Sequence, residues 1–268
     1  MSSQDAELYA SSVVPRFSSL FGRRLIPQIP EGQRLQVLDV GCGTGYPALE
    51  VMARLGEGGR VIAIDPDPAL IDVARRRALD EAGRRIFFKP GSAESLGFGD
   101  EVFDIVIGNL VLDALGTPEA ALAEMQRVLV PGGRMVLTMA LENTFEEVMD
   151  MFREVGLKRD DLALGQRIDR IGGRYPTAAR LRAMVEGAGF RSVTVSHETL
   201  HLRFDDAAHI FTDPAMRFVA LPEWRWIAGF ERGSARTLTE VQQSLDTYFG
   251  GGPLSLRVEA GLVVAEAA

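Results

Sequence analysis

The stretch VLDVGCGTG (Val37–Gly45) decides the fold of this chain. Its first four residues form a short, mostly apolar run that is typical of a buried parallel strand, with one acid, Asp39, near its end. Glycines then occupy every second position, at Gly41, Gly43 and Gly45. They predict a turn whose backbone passes very close to a ligand. Apolar residues at helical spacing follow over 48–55, and the order strand, glycine turn, helix predicts a site for a nucleotide-like cofactor.

The composition limits the class of protein and its compartment. A length of 268 residues suffices for one sizeable core with an added cap. The net charge of −8 argues against a general nucleic-acid binder, and the single cysteine, Cys42, excludes an internal disulfide framework. No segment has the unbroken apolar length that spans a bilayer, and the first residues lack a secretory pattern. We therefore expect a cytoplasmic protein with neither a membrane nor a nucleic-acid partner.

Between residues 36 and 139, predicted strands alternate with predicted helices, which indicates a parallel sheet covered on both faces. The strands are predicted over 36–41, 59–65, 85–89, 103–109 and 134–139. The helices are predicted over 48–55, 69–81 and 119–129. The last two follow Asp67-Pro68 and Thr117-Pro118, pairs that favour a helix start.

The pattern changes after Met139. Helices are predicted over 142–155 and 177–188, and the stretch that joins them is polar. Alternating apolar residues predict strands over 191–204 and 254–266, which we expect to pair as an antiparallel hairpin.

The chain is predicted to have a core with two additions. The stretch 205–249 is too long for a plain loop and carries several aromatic residues, among them Trp224, Trp226 and Phe230. We predict that it forms a helical insertion that serves as a substrate cap. Residues 1–34 are predicted to form an N-terminal helical lid segment, which leaves 35–204 and 250–268 as the core.

The spacing of the glycines distinguishes between cofactors. A dinucleotide fingerprint has the pattern G-x-G-x-x-G. Gly41 and Gly43 fit this pattern, but Tyr46 occupies its third glycine position, and the third glycine comes one residue early at Gly45. This departure argues against a nicotinamide oxidoreductase.

The pattern G-x-G-x-G with an acid two residues before it resembles motif I of the class I S-adenosylmethionine-dependent methyltransferases. Later motifs of that family have counterparts here in the same order: Val61–Asp65, Gly91–Glu94 followed by Phe103–Val106, and Leu129–Arg134. The chain is similar to the small-molecule branch that includes the ubiquinone and menaquinone biosynthesis methyltransferases. The resemblance covers Leu35–Ala140. It implies an α/β, Rossmann-like three-layer sandwich with a mostly parallel seven-stranded sheet, an antiparallel last strand, and a helical lid and insertion.

The resemblance also implies a reaction. The protein would transfer a methyl group from S-adenosylmethionine to an oxygen, carbon or nitrogen atom of a small, partly apolar metabolite. The alternative is a protein that binds S-adenosylmethionine or S-adenosylhomocysteine without methylating anything. A homodimer is kept open beside a monomer. No cluster with metal-ligand spacing is present, so no metal site is expected.

The family's contacts to the methionine and ribose parts of the cofactor carry over to the first two strands. The three glycines of the turn bring the backbone close to the methionine part, whose carboxylate the backbone N–H groups can bind. Asp39 either binds the ammonium group or caps the turn as a buried acid. Asp65 can accept hydrogen bonds from the ribose hydroxyls, or else it is a turn residue before Pro66.

Further cofactor contacts follow the second and third strands or end the fourth. Pro66 and Ala93 would flank the adenine, and Ser92 stands where the family usually has Asp, so its contact to the adenine amine would be weaker. Asn109 ends the fourth strand and is included among the cofactor contacts. Tyr9 is either a lid contact to the cofactor or a packing residue of an amphipathic helix.

Residues for the acceptor and for proton transfer are less well defined by sequence. His201 and His209 are the candidate catalytic bases, with a structural role as the competing interpretation. Asp113, Trp224 and Trp226 are candidate substrate contacts, and the tryptophans are equally explained as the core of the insertion. Cys42 is interpreted as a small residue in a tight turn and not as a nucleophile.

Overall fold

The computed structural model of the protein describes residues 1–171, 174–229 and 233–268, so Phe230 lies outside the described residues. The strands are β1 Gln36–Val40, β2 Arg60–Asp65, β3 Ile86–Pro90, β4 Phe103–Asn109, β5 Leu129–Ala140, β6 Arg191–Phe204 and β7 Leu254–Glu266. They form a seven-stranded sheet in the order β3-β2-β1-β4-β5-β7-β6. Six strands are parallel, the last is antiparallel, and helices lie on both sides. The predicted fold class is confirmed.

The helices begin and end close to the predicted positions in most cases. They are α1 Ser3–Leu8, α2 Ser19–Leu25, α3 Ala48–Arg54, α4 Pro68–Arg77, α5 Pro118–Val128, α6 Glu146–Arg159, α7 Leu162–Ile171, α8 Ala178–Gly187, α9 Ala207–Thr212, α10 Met216–Val219, α11 Leu221–Ala228 and α12 Gly233–Phe249. A π-helix, Tyr9–Ser18, joins α1 to α2, and short 3-10 turns occupy Ile26–Gln28, Leu79–Glu81 and Leu112–Ala114.

The central strands are apolar on both faces because both faces are covered. Val37, Leu38 and Val40 of β1 are fully buried. Val37 lies opposite Val61 of β2 and Ile105 of β4 in parallel register. This register brings the carboxyl ends of the three strands to the same edge of the sheet, where ligands of open parallel sheets bind.

Strand β5 begins earlier than predicted, at Leu129 instead of Arg134. The residues predicted to form a turn belong to the strand, and two of them, Gly132 and Gly133, are hydrogen-bonded to Ala267. Gly132 N–H donates to the Ala267 carbonyl at 3.2 Å, and Ala267 N–H donates to the Gly133 carbonyl at 2.8 Å. These partners are far away in sequence, so local turn signals could not reveal them.

Two helices after β5 also differ from prediction. The helix predicted over 142–155 begins at Glu146, because Phe145 just before it adopts a left-handed φ of 61°. Helix α7 lies in a stretch interpreted as a polar link. Its Leu164 and Ile168, four residues apart, are buried among exposed charged residues, and that spacing was the signal for it.

Two compact units make up the chain, and each has its own core. The first comprises Met1–Met139, Thr177–His197 and Ala260–Ala268, and the second comprises Ala140–Pro176 and Glu198–Glu259. The second unit is largely helical: α12 contacts α6, α9 and α11, while α7 contacts α6 and α11. Its core includes the fully buried Phe152 and Trp224. The predicted insertion thus forms four helices that share a unit with residues 140–176.

Candidate functional site

The glycine turn leads from β1 towards α3 at the edge where β2 also ends. The N–H groups of Gly41 and Cys42 both donate to the Ile64 carbonyl of β2 at 2.9 Å. The Gly45 N–H donates to the Cys42 carbonyl at 2.9 Å. The φ angles are +73° at Gly41, +52° at Gly43 and +93° at Gly45, in the left-handed region that favours glycine. The path of the backbone itself therefore requires the three glycines.

The three glycines differ in the space around them. A Cβ at Gly41 would lie 2.7 Å from Cγ2 of Val111, and one at Gly45 would lie 3.3 Å from Cβ of Ala74. At Gly43 the nearest atom among the described residues would be Cε1 of Tyr9, at 4.0 Å. Gly43 therefore borders open space, and a ligand can approach the backbone there.

Asp65, the last residue of β2, is tied to this turn. Its Oδ2 accepts a hydrogen bond from Gly43 N–H at 2.9 Å, and its Oδ1 accepts one from Asp67 N–H at 2.9 Å. Burial raises the pKa of the Asp65 carboxyl, and the two N–H donors oppose that shift. Each carboxylate oxygen has a further lone pair, so Asp65 can also accept hydrogen bonds from ligand hydroxyls.

Asp39 of β1 is fully buried, and among the described residues neither of its carboxylate oxygens has a hydrogen-bond partner. Burial raises its pKa well above the usual range, and the negative charge of Asp65 adds to the effect. The Ala48 N–H opposes this shift without meeting the geometry of a hydrogen bond. A buried carboxylate without a partner is costly, so the site is suited to a ligand that brings a cation.

Several N–H groups of the turn are used within the protein. The N–H groups of Gly41, Cys42 and Gly45 donate to backbone carbonyls, and that of Gly43 donates to Asp65. These four N–H groups already have acceptors in the protein, and the binding of a ligand carboxylate by backbone N–H groups stays a prediction. The glycines contribute close approach to the backbone.

Comparison with known proteins identifies the family. Residues 31–178, more than half of the chain, match the sequence profile of a methyltransferase domain. The chain belongs to the class I S-adenosylmethionine-dependent methyltransferases. The predicted family, enzyme class and cofactor are thereby confirmed.

Two curated relatives of this chain are methyltransferases. It is 29% identical over 186 residues to the malonyl-(acyl-carrier protein) O-methyltransferase of Erwinia pyrifoliae, with 69% of this chain and 62% of the relative covered. It is 30% identical over 172 residues to the demethylmenaquinone methyltransferase of Lactococcus lactis, with 59% and 67% covered. The chain thus spans about two thirds of the length of these relatives. Both are methyltransferases, which supports the predicted enzyme over the non-methylating alternative.

The fold is also found in solved structures. The YcgJ protein of Bacillus subtilis superposes with a TM-score of 0.60 at 18% identity, covering 92% of this chain and 98% of that one. At this identity the likeness concerns the fold.

The residues of the turn fit S-adenosylmethionine. Its ammonium group would supply a cation to the buried Asp39 carboxylate, which has no hydrogen-bond partner among the described residues. Its ribose hydroxyls would be suitable donors for the remaining lone pairs of Asp65, and Gly43 leaves room beside the backbone.

The residues predicted to surround the adenine follow β2 and β3. Pro66 is exposed, Ala93 is buried and Ser92 is exposed. The Ser92 hydroxyl already accepts a hydrogen bond from Glu94 N–H at 3.3 Å. The Glu94 carboxylate accepts one from Thr117 N–H at 3.1 Å and thereby ties this loop to the start of α5.

Cys42 is buried inside the turn. Burial raises the pKa of its thiol well above the usual value, and the carboxylates of Asp39 and Asp65 raise it further. The thiol therefore stays protonated at neutral pH, which supports a packing role and not that of a nucleophile.

At the end of β4, the Asn109 side chain is engaged by the protein. Its Nδ2 donates to the Ser18 carbonyl at 3.2 Å, and its Oδ1 accepts from the Thr138 hydroxyl at 2.7 Å. Sequence reasoning missed Ser18 and Thr138, although Thr138 is the one hydroxyl in the apolar run 135–140. Asp113 lies half-buried in the following 3-10 turn.

The two candidate histidines belong to the second unit. His201 is exposed on β6. His209, in α9, has its Nδ1 3.4 Å from the Asp205 carboxylate, and its ring lies edge-on to Phe204 at 6.0 Å. Within the described ranges, a carboxylate thus lies close to His209 and none lies close to His201.

The two candidate tryptophans have different environments. Trp224 is fully buried, with its ring 5.7 Å from Phe145 and 5.9 Å from Phe211. It is a core residue of the second unit. Trp226 is half-buried, and the Arg170 guanidinium lies 5.9 Å from its ring centroid. Of the pair, Trp226 is the one with exposed surface for a substrate.

The described ranges contain neither a membrane-spanning helix nor a metal-binding cluster. No helix there combines the length and the apolar character needed to cross a bilayer. Within the same ranges, no group of three or more His, Cys, Asp or Glu side chains is arranged to hold a metal ion.

Proposed function

We propose that the protein transfers a methyl group from S-adenosylmethionine to a small, partly apolar metabolite. The observation that carries this proposal is the fully buried Asp39 carboxylate without a partner, next to a turn with open space at Gly43. The names of the two relatives, which give malonyl-(acyl-carrier protein) and demethylmenaquinone as acceptors, support a small molecule or an acyl group held on a carrier.

In this proposal, the first unit binds the cofactor. Asp39 accepts hydrogen bonds from the ammonium group, and Asp65 accepts them from the ribose hydroxyls. Pro66 and Ala93 flank the adenine, and Ser92 contacts its amine. The buried Asp39 and the hydrogen-bonded Asp65 support these roles because each has acceptor capacity that the protein leaves unused.

The bound cofactor supplies an activated methyl group on a sulfonium sulfur. The residues of the chain then have to align the acceptor, exclude water and take up the acceptor's proton where it has one. We assign acceptor binding to Asp113, Trp226 and the helical insertion 205–249 as a substrate cap. His209 is the preferred base because the Asp205 carboxylate lies 3.4 Å from its Nδ1, and His201 is the second choice.

The proposal also includes the class of substrate, the cellular compartment and the oligomeric state. The net charge of −8 supports a small-molecule substrate over a nucleic acid. The single, buried cysteine supports a reducing compartment such as the cytoplasm. A homodimer and a monomer are both compatible with this proposal, and light scattering at micromolar concentration distinguishes them.

Calorimetry with S-adenosylhomocysteine and, separately, NAD tests the cofactor assignment. We expect binding of the first and none of the second. Transfer of a labelled methyl group to quinone precursors, aromatic polyketides and acyl thioesters then tests the reaction. Binding without transfer to any acceptor would favour a non-methylating binding protein.

Two histidine variants test the assignment of the base. His209→Gln should lower kcat by about 100-fold and leave S-adenosylhomocysteine binding unchanged, whereas His201→Gln should leave both unchanged.

A further inference from the structure

A chain of buried hydrogen bonds joins the N-terminal π-helix to the sheet. The Thr138 hydroxyl donates to Oδ1 of Asn109 at 2.7 Å, and Nδ2 of Asn109 donates to the Ser18 carbonyl at 3.2 Å. The Ser18 hydroxyl is in turn close enough to the Tyr9 phenol to lower the pKa of that phenol by hydrogen bonding. Ser18, Asn109 and Thr138 are all buried. We call Thr138, Asn109, Ser18 and Tyr9 the latch.

The winding of the π-helix makes the last link of the latch feasible. Tyr9 and Ser18 are the first and last residues of that helix. With about 4.4 residues per turn in a π-helix, residues nine apart face the same side after two turns. In an α-helix of about 3.6 residues per turn they would face opposite sides. A π-helix in place of an α-helix therefore brings the Tyr9 side chain over Ser18.

Tyr9 also lies beside the glycine turn. Its Cε1 is the nearest atom, at 4.0 Å, to the position that a Cβ on Gly43 would occupy. The Asp65 carboxylate is close enough to raise the pKa of the Tyr9 phenol, in addition to the larger effect of burial. The Tyr9 ring therefore borders the open space between Gly43 and Asp65.

We propose that Asn109 is a positioning residue, which holds Ser18 so that the π-helix keeps the Tyr9 ring over the cofactor at Gly43. The inference rests on the proposed function, because it assigns Tyr9 and Asn109 to retention of S-adenosylmethionine. Both the nitrogen and the oxygen of the Asn109 amide are engaged by the protein. In this proposal Asn109 therefore affects cofactor binding through Ser18 and Tyr9 and not by touching the cofactor.

Three variants test this inference. Asn109→Leu keeps a similar volume and removes the donor to Ser18, and Tyr9→Phe keeps the ring and removes only its hydroxyl. Ser11→Ala is the matched control, because it removes a hydroxyl of the same helix that donates to the Glu7 and Leu8 carbonyls at the exposed surface. The measurements are the Kd of S-adenosylhomocysteine by calorimetry and the hydrogen–deuterium exchange of residues 9–18.

We expect Asn109→Leu and Tyr9→Phe each to raise the Kd about tenfold and to speed exchange over residues 9–18, while Ser11→Ala changes neither. The double variant should bind no more weakly than Asn109→Leu alone, because Tyr9 acts through the same latch. A merely structural role would lower the melting temperature without moving the Kd.

The outcomes separate the latch from the function on which it rests. If the wild-type protein fails to bind S-adenosylhomocysteine, the proposed function is wrong. If the wild type binds and both variants match Ser11→Ala, the latch is wrong and the proposed function stands. Should Asn109→Leu not fold, Thr138→Val replaces it, and a Kd unchanged in both Thr138→Val and Tyr9→Phe overturns the latch.

Discussion

Substitution of Gly43 by alanine separates the cofactor site from the fold, and Gly83 provides the matched control. Gly43 has a φ of +52° and Gly83 a φ of +77°. A Cβ at Gly83 would meet nothing within 4 Å, and one at Gly43 would meet only Tyr9, at 4.0 Å. Neither alanine clashes, so both variants should lose about 1–2 kcal/mol of stability from the left-handed backbone alone.

The two variants should differ in binding. Gly83 precedes β3 at the amino edge of the sheet, whereas Gly43 lies at the carboxyl edge, in the turn that Asp65 holds. The new methyl group at Gly43 would project into the space that a ligand has to occupy. We expect Gly43→Ala to weaken binding of S-adenosylhomocysteine by at least about tenfold, or 1.4 kcal/mol, and Gly83→Ala to leave it unchanged.

Thermal melts and calorimetry on the same preparations provide the test. Each kcal/mol of lost stability corresponds to a fall of about 2–4 °C in the melting temperature of a chain of this size. Both variants should show similar falls, and only Gly43→Ala should show the loss of affinity. If Gly43→Ala melts like Gly83→Ala and binds S-adenosylhomocysteine like the wild type, the ligand does not approach the backbone at Gly43.

Three further predictions concern named side chains. Because the folded protein raises the pKa of Asp39, the folded state keeps a proton that the unfolded chain has lost, and stability falls as pH rises from the unfolded pKa through the folded one. Asp39→Asn should abolish that decline and raise the melting temperature of the ligand-free protein by about 2–4 °C at neutral pH. It should also weaken the binding of S-adenosylhomocysteine. A wild-type melting temperature that does not depend on pH would contradict this prediction. Asp65→Asn should weaken the same binding by about 10–100-fold in calorimetry, and an unchanged Kd would remove the ribose role. Trp224→Ala should cost about 3–5 kcal/mol in denaturant unfolding of the second unit, and a loss under about 1 kcal/mol would show that Trp224 is not a core residue.

Much of the parallel sheet follows from local pattern. Strand β4 was predicted with the bounds that the structure has, and β1 and β2 differ by a single residue at one end. Such central strands are mostly apolar and flanked by strong turn signals, so periodicity and glycine positions suffice to locate them. The prediction was less accurate for strand β5 and helix α7. Strand β5 is extended by hydrogen bonds to a residue distant in sequence, and the charged residues of α7 make its apolar spacing hard to recognise.

The sequence likewise predicts one part of the site and leaves another part to the structure. The sequence contains the three glycines, whose positive φ angles belong to the turn itself, and Asp39 and Asp65 at fixed positions from it. It does not show whether a carboxylate is paired. That Asp39 lacks a partner while Asp65 has two N–H donors follows from the packing of β1 beside β2.

The sequence by itself determined the order strand, glycine turn, helix and the class of cofactor, because these depend on residues within a few positions of one another. Only the tertiary structure decided that Asn109 holds Ser18, 91 residues away, and that Trp224 lies in a core. Hydrogen bonds and packing between distant segments depend on how elements meet in space. Neither periodicity nor motif spacing encodes that arrangement.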